Sequence, residues 1–121
     1  SEIRNYPIIK HPPIALSKSY LVNPMRILGI IPARYASSRF PGKMLADIGG
    51  KSMIQRVYEQ AQKTVSLHTL IVATDHELIY NHVESFGGTA VMTSPAHQSG
   101  TDRCYEAFEK IGGDYTFVIN I

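Results

Sequence analysis

Four short apolar runs recur along the chain, each too short for a buried helix, and stretches with helical spacing separate them. The runs are residues 27–31 (Ile-Leu-Gly-Ile-Ile), 69–74 (Thr-Leu-Ile-Val-Ala-Thr), 90–92 (Ala-Val-Met) and 115–121 (Tyr-Thr-Phe-Val-Ile-Asn-Ile). A continuous run without polar alternation marks a strand covered on both faces, as in a parallel sheet. The first stops at Pro32. Met53, Ile54, Val57, Tyr58 and Ala61 fall at helical spacing, which predicts a helix over residues 52–64 with Ser52 as its N-cap. A second helix is expected from Asp75 to about Phe86, ended by Gly87-Gly88, and a third over residues 102–111. The order β-α-β-α-β-α-β predicts an α/β fold with a mainly parallel sheet and helices on both faces, as in doubly wound nucleotide-binding folds.

At 121 residues one domain is the ceiling. It is expected over residues 25–121. The first 24 residues hold four of the seven prolines, and Lys10, His11 and Lys18 interrupt any apolar core that a secretory signal would need. They read as an unstructured leader, with Met25 as a candidate natural start. The chain ends on a predicted strand with no helix to cover it, so the protein is expected to continue well past Ile121.

Composition removes several function classes. A net charge of +2 is too small for a nucleic-acid-coating surface, so no nucleic-acid partner is expected. The longest apolar run, residues 27–33, is far short of the roughly 20 residues of a membrane helix, so no membrane insertion is expected. The single cysteine, Cys104, excludes an intrachain disulfide and fits a reducing cytoplasm. Histidines 11, 68, 76, 82 and 97 form no HExxH pair and have no companion cysteines, so no zinc is assigned.

What remains is a local concentration of charge. Residues 32–50 read as one long connection, and its first part places Arg34, Arg39 and Lys43 with Ser37 and Ser38 at the carboxyl end of the first strand. Open α/β sheets bind ligands there. Gly42 lets backbone approach a ligand, and each charge-assisted hydrogen bond to a phosphate contributes about 1.5–3 kcal/mol. Residues 26–43 therefore read as a strand and basic loop that grip the phosphates of a nucleotide. Two familiar phosphate motifs are excluded. Gly50-Lys51-Ser52 ends like a P-loop, but the required first glycine falls at Leu45, and no GxGxxG follows the first strand.

Gly29-Ile30-Ile31-Pro32-Ala33-Arg34 followed by Ser38-Arg39-Phe40-Pro41-Gly42-Lys43 resembles the signature of the sugar nucleotidyltransferases, specifically the cytidylyltransferases. Ala73-Thr74-Asp75-His76 and His97-Gln98-Ser99-Gly100-Thr101-Asp102-Arg103 are similar to motifs of those that act on 3-deoxy-manno-octulosonate (Kdo). The resemblance covers residues 26–121. It departs from the usual pattern at Ser38, Phe40, Met44 and Ser52 without removing a charge or a glycine. It implies a Rossmann-like three-layer α/β/α nucleotidyltransferase fold, transfer of CMP from CTP to Kdo with release of pyrophosphate, a step toward lipopolysaccharide, magnesium as cofactor and a homodimer. The family's metal-binding aspartate follows a strand like residues 118–121, which implies no metal ligands in this chain and no turnover by it alone.

The roles so implied are specific. Arg34, Arg39 and Lys43 would hold the triphosphate, with Ala33, Ser38 and Gly42 lining it and Lys43 and Arg34 stabilising charge in the transition state. Gln98 would read cytosine, whose edge offers a donor beside acceptors, with Ser99, Gly100 and Thr101 shaping the pocket. Ser99 or Thr101 is equally a helix cap, and Asp75 is either a cap or a direct ligand. His76 and His97 read as supporting residues. Arg103 either reaches a phosphate or pairs with Asp102 or Glu106 on the surface, and Cys104 packs. Two other readings stay open: a cytidylyltransferase for another acidic sugar such as N-acylneuraminate, and a non-catalytic nucleotide-binding module.

Overall fold

A computed structural model of the chain describes residues 8–9, 26–36, 40–64 and 66–121. The elements are β1 (Ile8–Ile9), β2 (Ile27–Ala33), a single 3-10 turn (Lys43–Leu45), β3 (Asp47–Ile48), β4 (Lys51–Ser52), α1 (Met53–Thr64), β5 (Thr69–Thr74), α2 (Glu77–Ser85), β6 (Ala90–Met92), α3 (Gly100–Ile111) and β7 (Phe117–Asn120). Five strands form one parallel sheet in the order β1-β7-β2-β5-β6, and β3 with β4 makes a separate antiparallel hairpin.

The chain moves outward from β2 to β5 to β6, then returns to the far side of β2 for β7. With right-handed crossovers, that reversal puts the returning helix on the opposite face. The two cores agree. Ile54, Tyr58 and Ala61 of α1 and Ile79 and Val83 of α2 pack on Ile31, Ala33, Leu70 and Val72. Cys104, Ala107 and Phe108 of α3 pack on Leu28, Ile30, Ile71, Ala73 and Val118 across the sheet. Each fully buried aliphatic side chain contributes about 1.5–3 kcal/mol of transfer free energy. The fold is therefore the three-layer α/β/α, Rossmann-like arrangement expected.

Several boundaries differ from the sequence reading, each for a physical reason. β2 does not stop at Pro32. The Ile30 carbonyl accepts the Ile121 N–H at 2.9 Å, so Pro32, two residues on, faces the same side. Pairing with β7 ends at Ile30–Asn120, and the N–H that proline lacks would have pointed past the end of that strand. On its other side β2 continues to pair up to Ala33–Thr74. Residues 32–50 are likewise not a featureless connection. They hold the 3-10 turn and lead into a hairpin closed by Gly49 (φ 65°) and Gly50 (φ 94°), with Asp47 Oδ1 accepting the Gly50 N–H at 2.9 Å.

α1 is capped as expected, the Gln55 N–H donating to Ser52 Oγ at 3.2 Å. α2 is capped by His76, whose Nδ1 accepts the Leu78 N–H at 3.1 Å, and not by Asp75. α3 starts at Gly100, earlier than residue 102, because Ser99 rather than Thr101 is its cap. β7 is shorter than residues 115–121, although Thr116 and Ile121 extend its hydrogen bonding to the Arg26 and Ile30 carbonyls.

Within the expected leader, Ile8 and Ile9 pair in parallel with Val118 and Ile119. For these two residues the expectation of an unstructured segment is corrected: they add a parallel strand to the edge of the sheet beside β7, where a strand's backbone groups seek partners, and β-branched residues favour that conformation. The rest of 1–24, and Met25, lie outside the described residues.

Candidate functional site

The loops that leave the carboxyl ends of β2, β5 and β6 meet at one edge of the sheet, and each carries one of the sequence motifs. After Ala33, Arg34 is exposed and the chain turns at Tyr35. The Tyr35 N–H donates to Asp75 Oδ1 at 3.1 Å, and its ring stacks on His76 with centroids 4.0 Å apart. Its carbonyl accepts the Gly42 N–H at 2.8 Å, which closes the basic loop into a ring of backbone. Gly42 has φ 74°, and a Cβ there would lie 3.2 Å from the Tyr35 ring, so glycine meets both demands of this turn. Lys43 follows, exposed, at the start of the 3-10 turn.

The third motif is fixed from below. Thr93 donates its N–H to the Thr74 carbonyl at 2.8 Å. Arg103, only 3% exposed, donates from Nη1 to Thr93 Oγ1 at 2.6 Å and to the Ser94 carbonyl at 3.0 Å, while its Nη2 lies 3.8 Å from Asp75 Oδ2. The surface pairing read for Arg103 from the sequence is thus corrected: its guanidinium is buried and faces oxygens of Thr93, Ser94 and Asp75, not Asp102 or Glu106, while the residue also lines the cleft described below. The opposite oxygen of Glu106 is taken by Lys110 at 2.9 Å, and Glu106 Oε1 meets His97 Nε2 at 2.6 Å.

Between these loops lies a cleft of about 310 Å³ lined by Pro32, Arg34, His97, Gln98, Ser99, Gly100 and Arg103. A Cβ on Gly100 would stand 3.2 Å from Pro32 Cγ, so the absence of a side chain lets α3 approach the end of β2 closely. The N-terminal end of α3 adds a partial positive charge to the two guanidinium groups. A larger depression of about 610 Å³ beside α1, lined among others by Lys51, Arg56 and Ile121, contains none of the motif residues.

Of the residues singled out in the sequence, Arg34, Gln98, Ser99 and Gly100 come together in the cleft. Ala33 is buried at the end of β2, and Thr101 is half-buried in the first turn of α3. Gly42 and Lys43 stand on the neighbouring loop and do not line the cleft. Ser38 and Arg39 lie outside the described residues. Asp75 joins the Tyr35 loop to Arg103. Cys104 is fully buried, and burial pushes its thiol up to about 12, only partly opposed by Arg103. It is a packing residue.

Sequence reasoning passed over Tyr35 and Thr93 and left Glu106 as a mere surface partner. Tyr35 stood in the motif as a spacer, and its stacking partner is 41 positions away in the chain order of Tyr35 and His76. An Arg-x-x-Glu pair on one helix face, Arg103 with Glu106, was the legible hint of a supporting network.

Residues 28–121 match the family model described as cytidylyltransferase. The chain is 61% identical over 97 residues to 3-deoxy-manno-octulosonate cytidylyltransferase of Parabacteroides distasonis, covering 80% of this chain and 38% of that protein. It is 62% identical over 97 residues to the protein of the same name from Bacteroides thetaiotaomicron, with the same coverage of 80% and 38%. A solved structure of CMP:2-keto-3-deoxy-manno-octonic acid synthetase in complex with CTP superposes with a TM-score of 0.70 at 48% identity, covering 74% of this chain and 37% of that one. The chain thus spans about 38% of the length of the curated relatives it matches. With the three motifs gathered at the carboxyl edge of a parallel sheet and the family model covering residues 28–121, the chain belongs to the cytidylyltransferase family.

Proposed function

We propose that this chain provides the CTP-binding part of an enzyme that transfers CMP to Kdo, giving CMP-Kdo and pyrophosphate for lipopolysaccharide synthesis. The observation that carries the reading is the cleft in which Arg34 at the end of β2 faces Gln98, Ser99 and Gly100 at the start of α3. A cation beside an amide suits a ligand with a phosphate at one end and a hydrogen-bonding base edge at the other. The names of the relatives and the CTP complex of the structural neighbour support the same nucleotide and acceptor.

In this reading Gln98 meets the cytosine edge, and Ser99, Gly100 and Thr101 shape the wall beside it. Arg34 and Lys43, with Ser38 and Arg39 of the same loop, hold the triphosphate, while Ala33 and Gly42 present backbone to it. Asp75 acts by tying that loop to Arg103. Attack by the sugar hydroxyl on the α-phosphate leaves little covalent work for the protein, so Arg34 and Lys43 serve by neutralising charge and aligning the leaving pyrophosphate. Among the described residues no group of three or more His, Cys, Asp or Glu could hold a metal ion. Magnesium enters the proposal as the counter-ion that the triphosphate brings, since that ion is commonly held through substrate phosphates with few protein ligands. Among the described residues no helix is long and apolar enough to cross a membrane. A cytoplasmic homodimer completes the proposal.

Titration of the chain with CTP, UTP and ATP tests it. CTP is expected to bind in preference, with binding weakened by Lys43→Ala and Gln98→Ala. Binding indifferent to the base, or to both substitutions, overturns the proposal in favour of a generic nucleotide module.

A further inference from the structure

Glu106 belongs to none of the motif segments, yet its carboxylate ties α3 to both ends of the loop that leads into Gln98. Its Oε1 accepts the Ser94 N–H at 2.8 Å and meets His97 Nε2 at 2.6 Å. Its Oε2 takes Lys110 Nζ at 2.9 Å, and Lys110 also donates to the Met92 carbonyl at 2.6 Å. From the other side Arg103 holds the Ser94 carbonyl, so both backbone groups of Ser94 are fixed by α3. The Ala96 N–H donates to Ser94 Oγ at 3.1 Å, and Ser99 Oγ is committed to capping α3. Gln98 is therefore bracketed by two anchored neighbours, His97 and Ser99, while its own side chain is exposed on the cleft.

We propose that Glu106 is a positioning residue for nucleotide recognition: by holding Ser94 and His97 it fixes the backbone from which Gln98 presents its amide to the base. The inference rests on the reading of the cleft as a cytosine site. Base readout by a paired donor and acceptor needs the amide held within about 0.5 Å and 10–20° of its productive geometry. Attraction of the triphosphate has no such demand and comes from Arg34 and Lys43 on a different loop. Loss of Glu106 should therefore remove discrimination between bases before it removes affinity for phosphate. The carboxylate also keeps its charge at neutral pH. Burial raises the Glu106 carboxyl, but the Ser94, Lys110 and His97 hydrogen bonds outweigh that and hold it at about 2, so it stays ionised throughout the neutral range.

The test is binding of CTP, UTP and inorganic tripolyphosphate to the 121-residue chain, comparing wild type with Glu106→Ala, with the milder Glu106→Gln and with Gln98→Ala. The preference for CTP over UTP is expected to fall roughly tenfold in Glu106→Ala, toward that of Gln98→Ala, which is within what one bidentate base contact discriminates. Tripolyphosphate affinity is expected to stay at the wild-type level. Glu106→Gln should lie between, and it carries the test if the alanine variant fails to fold. Retained base preference in the folded variants overturns the inference, as does equal weakening of all three ligands. A wild-type chain that does not prefer CTP over UTP fails the cytosine reading itself, a different result from selective wild type with unaltered variants.

Discussion

Asp75 Oδ1 accepts the backbone N–H of Tyr35 at 3.1 Å, a bond that joins the end of β5 to the basic loop after β2. The other oxygen of the same carboxylate faces Arg103 Nη2 at 3.8 Å. One half-buried side chain thus links all three motif segments, since Arg103 in turn fixes Thr93 and Ser94. This accounts for an aspartate that does not cap the helix it precedes: His76 takes that task and leaves the carboxylate for the loop.

Replacing Asp75 should therefore cost both stability and loop order. Asp75→Ala removes the acceptor of the Tyr35 N–H and the anion beside buried Arg103, and an expected loss of about 1–3 kcal/mol follows from leaving such groups unsatisfied. Asp75→Asn keeps an acceptor for Tyr35 and loses only the charge, so its loss should be smaller. Urea denaturation compares the two. Equal stabilities would show that the Tyr35 bond contributes nothing.

Gly42 is constrained twice. Its φ of 74° disfavours any Cβ, and the added atom would meet the Tyr35 ring at 3.2 Å. Gly42→Ala should destabilise by about 1–2 kcal/mol for the backbone conformation alone, with more from displacing Tyr35 off His76. Gly50, at φ 94° in open space, is the control: Gly50→Asn should cost less, because no neighbour is struck and asparagine tolerates the left-handed region. Thermal unfolding midpoints measure both.

The course of the sheet was legible because its strands are continuous apolar runs that leave few alternatives, and β5 and β6 fall where the runs lie. The site was legible in part. Arg34, Gln98, Ser99 and Gly100 could be placed at one edge because strand ends fix the loops that follow. The links between loops were not, because the partners of Asp75 and Arg103 depend on how three distant segments turn. Pro32 misled for a related reason. A proline ends a strand only where its N–H is needed, and that depends on how far β7 extends beside it.

Ser52 and Ser99 are both helix caps, but their surroundings differ. Ser52 is buried, accepts the Gln55 N–H and also lies 2.6 Å from His82 Nε2, so it joins α1 to α2. Ser99 is exposed and only caps α3. Loss of a cap typically costs about 0.5–2 kcal/mol, and Ser52→Ala is expected at or above the top of that range, with Ser99→Ala near the bottom. Denaturation of the two variants side by side decides it, and the reverse order would mean that the His82 contact adds no stability.

Cys104 offers an internal reporter of unfolding. Its thiol is fully buried and raised to about 12, and the thiolate is the reactive form, so the native chain should resist thiol reagents at mildly alkaline pH. Labelling is expected to follow the unfolding transition as urea is added. Rapid labelling without denaturant would place Cys104 in a loosely packed α3.

Glu106 gives the chain a calculable acid sensitivity. Burial works to raise its carboxyl, but hydrogen bonds from Ser94, Lys110 and His97 prevail and lower it from 4.5 to about 2. The native state therefore binds this proton less readily than the unfolded chain. The stabilisation it provides is complete above the unfolded value of 4.5 and is lost as pH falls from there through about 2. Urea midpoints measured from neutral pH downward should fall across that window in the wild type. Glu106→Gln should start lower at neutral pH, vary less through the window and converge with the wild type at its acid end. Parallel curves for the two proteins would show that another carboxylate carries the dependence. Lys110→Met separates the contributions further. The lysine side chain is 52% exposed, and exposed ion pairs contribute only about 0–1 kcal/mol. Most of the pH dependence should therefore survive its removal, carried by the Ser94 and His97 bonds to the same carboxylate.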